Sequence, residues 1–124
     1  MRRFNIHEAR TLHIVWHESK DAFEFRMMYG KRFLTPVLWI TPKEWQVLWA
    51  WGTIILKDFR GNEWVSLSRN SRTLHIEARQ KFDYGKGGNL DRDRWPEADF
   101  IAFHTLAQEE RGGLLPETGW NRMS

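Results

Sequence analysis

Leu38-Trp39-Ile40-Thr41-Pro42-Lys43-Glu44-Trp45 is the stretch on which the fold turns. Val37 to Ile40 is a short run, apolar on both faces, that suits an internal strand. It ends on a Thr with a Glu three residues later, the pattern of a capping box: Thr41 accepts from the third amide of a helix and Glu44 reaches back to the capping residue. Pro42 sits at the first helical position, where its missing N–H costs nothing. A strand therefore runs straight into a helix with no loop between them. The helix is expected to continue through Gln46-Val47-Leu48-Trp49-Ala50-Trp51 and stop at Gly52, placed for a left-handed C-terminal cap. Trp45, Leu48 and Trp49 form one stripe, whereas Val47 and Trp51 lie off it. A helix apolar around so much of its circumference implies a second subunit, with Trp45, Trp49 and Trp51 at the interface of a homo-oligomer.

Working outward, Thr11 to His17 and Ala22 to Tyr29 alternate bulky and polar residues and read as two strands. The four-residue link Glu18-Ser19-Lys20-Asp21 makes them an antiparallel hairpin. Arg3 to Glu8 is a candidate for one further strand. Beyond the helix, Thr53 to Lys57, Glu63 to Ser68 and Arg72 to Arg79 form a three-stranded meander, with turns at Phe59-Arg60-Gly61-Asn62 and Arg69-Asn70-Ser71. Gln80 to Arg94 is Gly-rich and charged and reads as a long loop. Trp95-Pro96-Glu97 opens a second helix, with Phe100, Phe103, His104 and Ala107 on one stripe and Gly112-Gly113 at its end. The expectation is an α+β fold, a twisted antiparallel β-sheet with two helices in the order βββα-βββα, as a single domain over residues 1–111 followed by a flexible tail, 112–124.

That element order, with the strand, Thr cap and Glu-Trp helix start of residues 38–45, resembles the Whirly-type single-stranded DNA-binding domains and the related transcription-coactivator domains. The resemblance implies a twisted antiparallel sheet followed by a helix, twice in one chain or once in each subunit of a dimer, and binding of single-stranded DNA. The family uses four strands per half where this reading finds three. Outside residues 38–45 there is no aligned motif, so the resemblance assigns no individual binding residues.

The chain has 124 residues, 19 Lys and Arg against 16 Asp and Glu, eight Trp, eight Phe and no Cys. The length suits one domain. The lack of Cys excludes disulfides, thiolate metal sites and Cys nucleophiles. No apolar run approaches the roughly 20 residues of a membrane span. The N-terminus, with His7, Glu8 and Arg10 where a signal needs an apolar stretch, does not read as a secretory signal, so no membrane association and a cytoplasmic location are expected. The basic excess lies in residues 1–96, while 97–124 carry two basic and five acidic side chains. Basic charge interleaved with flat rings is what grips the backbone and bases of a single strand.

The candidate nucleic-acid-binding residues are Arg26, Lys31, Arg32 and Phe33 after the second strand, and Arg69, Arg72, Arg79, Lys81, Phe82, Tyr84 and Lys86 around the last strand and its loop. Trp95 and Trp120, in irregular charged surroundings, are candidate docking rings. No catalytic set is visible. His13 and His17 share a strand face but stand about 13 Å apart, too far for one ion. His75-Ile76-Glu77 copies the H-x-E of zinc deaminases without their Cys ligands, and Gly85-Lys86-Gly87-Gly88 lacks the spacing of a P-loop. No metal or cofactor is therefore expected. Leu115-Pro116-Glu117-Thr118-Gly119 resembles a sortase signal but has only five residues behind it. Arg10-Thr11-Leu12-His13-Ile14 recurs as Arg72-Thr73-Leu74-His75-Ile76, in strands that a simple tandem repeat would not align. The function expected is binding of single-stranded DNA or RNA with low sequence specificity, as a phage or plasmid accessory factor in replication or transcription. The alternative is a protein-interaction module that docks on a host polymerase or nuclease through its Trp and Arg residues.

Overall fold

The computed structural model describes residues 2–7, 9–80, 95 and 97–112. In the first half, β1 (Arg2–His7), β2 (Arg10–His17) and β3 (Ala22–Tyr29) form an antiparallel meander. The far edge of β3 is shared by two short strands: β4 (Arg32–Phe33) pairs with Met28 and Tyr29, and β5 (Leu38–Ile40) with Phe23 to Phe25. Helix α1 (Pro42–Trp49) follows at once. The second half is β6 (Thr53–Lys57), β7 (Glu63–Asn70), β8 (Thr73–Ala78) and β9 (Ala98–Asp99), again antiparallel throughout, and then α2 (Phe100–Arg111). The α+β class is as expected, and the strand count is larger. β4 and β9 have two residues each, too few for alternation to reveal, and β1 is the candidate Arg3 to Glu8 strand shifted by one residue.

The capping box forms as read. Thr41 Oγ1 accepts from the Glu44 amide at 3.2 Å, and Glu44 Oε1 accepts from the Thr41 amide at 2.9 Å. The second half repeats the device, because β9 runs directly into α2 and the Asp99 carboxylate accepts from the Ala102 amide at 3.1 Å. This corrects the expected start of the second helix. Ala98 is drawn onto the edge of β8 opposite Leu74, so the helix begins at Phe100, and Trp95 is buried instead of opening it or docking on a partner.

The end of α1 departs from expectation in an informative way. Trp51, not Gly52, takes the left-handed conformation, at φ 69°. Its amide donates to the Leu48 carbonyl and the Gly52 amide to the Val47 carbonyl, the crossed pair of bonds that closes a helix over its last carbonyls. Gly52 is needed for closeness, not for φ: a Cβ there would stand 2.5 Å from Val47 Cγ1 and 2.9 Å from the Val47 carbonyl oxygen.

Both sheets and both helices bury their apolar faces in one core. Leu12, Ile14, Phe25 and Leu38 of the first half meet Ile54, Leu67, Leu74, Phe100 and Phe103 of the second. Trp45 is at its centre, fully buried, stacked on Phe103 at 5.6 Å and beside Phe23 at 5.3 Å, with Nε1–H donated to His104 Nδ1 at 3.2 Å. Trp49 is buried with it, so this chain itself covers two of the three indoles expected at a subunit interface, and only Trp51 is exposed. The two copies of the RTLHI pentapeptide lie in inner strands, with Leu12, Ile14, Leu74 and Ile76 in the core, but β2 is second in its half and β8 third.

Two outcomes follow from this packing. Gly52→Ala should lower stability by about 1–3 kcal/mol, read as a fall in the urea midpoint, because the new methyl must displace the last turn of α1. His104 is pushed down to about 4, first by burial and then by the Arg69 charge. The folded state thus holds this imidazole neutral where the unfolded chain protonates it, and the stability it supports is complete above about pH 6.5 and lost as pH falls towards 4. His104→Gln should flatten the fall of melting temperature across that window.

Candidate nucleic-acid interface

The helices pack on the core side of the first sheet, which leaves its other face free of helix among the described residues. The register sets out that face. Arg3 on β1, His13 on β2 and Arg26 on β3 lie directly opposite one another in a row across three strands. One row away, Val15, Glu24 and Trp39 are partners across β2, β3 and β5, with His17 beyond Val15 on the same side. Phe33 on β4 stands opposite Met28, next to Arg26.

Side-chain contacts join these residues into a chain. Glu24 sits between the two histidines, its Oε2 3.0 Å from His13 Nε2 and its Oε1 3.0 Å from His17 Nε2. An ionised carboxylate only accepts, so both imidazoles present Nε2–H to it. Phe33 closes edge-on against His13 at 5.2 Å, and Trp39 against His17 at 5.1 Å. Each ring carries a cation, with the Arg26 guanidinium 3.4 Å from the Phe33 centroid and Lys20 Nζ 5.3 Å from that of Trp39. Arg26 Nε also donates to the Thr35 carbonyl at 3.3 Å. Desolvation lowers the Arg26 pKa and the Glu24 charge raises it, and a guanidinium stays charged through both. The sequence Arg26–Phe33–His13–Glu24–His17–Trp39–Lys20 thus runs cation, ring, imidazole, carboxylate, imidazole, ring, cation across one sheet face. Phe33 is 42% exposed at one end, while His13 near the middle is buried. One carboxylate thus links two histidines four residues apart along β2. No group of His, Asp or Glu among the described residues is arranged to hold a metal ion.

Of the expected binding residues, the structure places Arg26 and Phe33 on this face, Lys31 exposed on the turn before β4, and Arg32 exposed in β4 opposite Tyr29, on the other side of the strand from Phe33. The rest are distributed otherwise. Arg69 lies 4.6 Å from the Trp49 ring, 4.7 Å from Trp51 and 5.0 Å from Phe100, and donates to the carbonyls of Trp49 and Ser71 at 2.9 Å. It fastens α1 to the second sheet. Arg79 bonds Glu63 at 2.9 Å and lies 3.9 Å from Glu77, and Arg72 stands 3.7 Å from Asp99. Lys81, Phe82, Tyr84 and Lys86 fall outside the described residues, as do Trp120, the LPETG stretch and residues 113–124 of the expected tail.

Arg3, His13, His17, Lys20, Glu24 and Trp39 are the members that residue-by-residue reading missed. The signal that finds them is register: once the four-residue link pairs His17 with Ala22, Val15 must face Glu24 and His13 must face Arg26. Elsewhere, the β6–β7 hairpin holds Phe59 90% exposed at its tip, with Arg60 5.3 Å from the ring. Asp58 fixes that tip by accepting from Trp64 Nε1 and from the amides of Arg60 and Asn62, and these bonds, led by Trp64, hold its carboxyl down to about 2.

No protein-family model, curated protein or solved structure matches the chain.

Replacing Arg69 by Ala should cost about 2–3 kcal/mol of stability in urea unfolding, since it strands two backbone carbonyls and uncovers three rings.

Proposed function

We propose that the chain binds single-stranded DNA or RNA across the outer face of the β1–β5 sheet, with little sequence preference. The observation that carries this reading is the row Arg3–His13–Arg26 across three adjacent strands, flanked by Phe33 and Trp39 with a cation on each ring. Arginines spaced across neighbouring strands meet successive phosphates of an extended chain, and flat rings beside them stack bases of any identity. A pleated sheet is a stiff support for such a surface, so little order is lost on binding. Lys31 and Arg32 extend the positive edge beyond β3. No helix among the described residues is long and apolar enough to cross a membrane.

A second reading is a protein-docking module that engages a host polymerase or nuclease. It is favoured by Phe59, held out on a stiffened hairpin tip, and by Trp51, exposed in a left-handed conformation that a Trp adopts only at a cost.

Fluorescence anisotropy with a labelled oligothymidylate separates the two. Binding should weaken steeply between about 50 and 200 mM salt, with a logarithmic slope of about −0.7 for each phosphate engaged. Phe33→Ala and Trp39→Ala should each cost about 1–3 kcal/mol of affinity, while Arg72→Ala and Arg79→Ala change it little. Absence of binding at low salt, with Phe59→Ala abolishing capture of a protein partner, would favour the docking module instead.

A further inference from the structure

We propose that the tip of the β6–β7 hairpin is a second contact for the same nucleic acid, stacking an unpaired base on Phe59 while Arg60 and Lys57 meet the phosphates beside it. This rests on the nucleic-acid reading of the β1–β5 face and adds a site on the other sheet. Phe59, 90% exposed, is the large apolar side chain left most open to water among the described residues. A ring so placed contributes little to folding, since it removes no apolar surface from water.

The turn is built to hold that ring still. Asp58 Oδ1 accepts from the amides of Arg60 and Asn62 at 2.8 and 3.0 Å, and its Oδ2 accepts from Asn62 Nδ2 at 3.2 Å and Trp64 Nε1 at 3.0 Å. The Asp58 amide donates to the Asn62 carbonyl and the Gly61 amide to the Asp58 carbonyl, both at 3.0 Å. Gly61 supplies the left-handed residue that closes the turn, at φ 85°. The main chain on both sides of Phe59 is therefore fixed before any ligand arrives, and little backbone order is lost on binding.

The surroundings of the ring decide its partner. Anchors at protein interfaces work inside a rim of neighbouring contacts that keeps water out. Phe59 stands instead on a hairpin turn among Lys57, Asp58, Arg60, Gly61 and Asn62, with no apolar neighbour in the turn. A base needs only one flat face and a cation near its phosphate. The Arg60 guanidinium lies over the Phe59 ring, 5.3 Å from its centroid, so a base on the opposite face completes a stack of cation, ring and base. Among the described residues Lys57 and Arg60 enter no ion pair. The carboxylates nearby are engaged, Asp58 by the donors of its own turn and Glu63, opposite Lys57 in register, by Arg79 at 2.9 Å. The tip thus offers uncommitted positive charge while its negative charge is tied down.

Two contacts on one flexible strand reinforce each other only when the strand is long enough to span them, because the first then sets a high effective concentration for the second. The test compares the full chain with Phe59→Ala in binding oligothymidylates of about 5 and about 30 nucleotides. On the short strand the two proteins should bind alike. On the long strand the parent should bind roughly fivefold to thirtyfold more tightly than Phe59→Ala. Arg60→Ala, which keeps the amide bonded to Asp58, should lower the slope of log affinity against log salt on the long strand by about 0.7. Both variants should keep the parent's melting temperature, since neither side chain enters the core. Equal affinity of the parent and Phe59→Ala for the long strand would overturn the inference and leave the nucleic-acid reading standing. Loss of a protein partner in Phe59→Ala with oligonucleotide affinity unchanged would overturn it too, and give the tip to protein docking. No binding of either strand would remove the nucleic-acid reading and this inference with it.

Discussion

Thr41 ends a strand and caps a helix in the same residue, and the rest of the molecule is arranged around that junction. With no loop to absorb a change of direction, α1 leaves the edge of the first sheet on its core side, and Trp45 is carried to the point where the two sheets and α2 meet. The indole fills the centre and spends its one donor on His104. Asp99 makes the same junction in the second half, so α2 is also delivered to the core side. One buried core of aromatic rings then serves both halves, as a chain of this length requires if it is to bury enough surface.

Because both helices are committed to the inside, the outer face of the first sheet is left to its own side chains. A row with arginines would repel itself if nothing offset it. Glu24 supplies the offset, and in doing so binds two histidines that are too far apart to touch each other. On the second sheet Arg72 and Arg79 meet carboxylates, and Arg69 is turned inward among rings and carbonyls. On the outer face of the first sheet, by contrast, Arg26 and Lys20 lie over the rings of Phe33 and Trp39.

Much of this was legible in the residues. The capping box, the β2–β3 hairpin, the second meander and the stripe on α2 follow from local patterns strong enough to survive packing. β4 and β9 were not legible, since two residues carry no period and owe their conformation to the strand they lie against. Trp95 and Trp51 were misplaced for a related reason. Burial of Trp95 depends on β9 being pulled to the edge of β8, and the left-handed turn at Trp51 depends on how closely Gly52 must pass Val47. Arg69 looked like a binding residue because its charge is visible in sequence and its cage of Trp49, Trp51 and Phe100 is not. The face itself could be read only by carrying the hairpin register across three strands, a step that turns scattered residues into rows.

The proposed function places an extended polyanion on the β1–β5 face. Titrating isotopically labelled protein with oligothymidylate and following backbone amide shifts by NMR tests it most directly. Perturbations concentrated at Arg3, His13, Glu24, Arg26, Phe33 and Trp39 are the expected result. Shifts confined to β7 and β8, or none at an oligonucleotide excess at low salt, would contradict it.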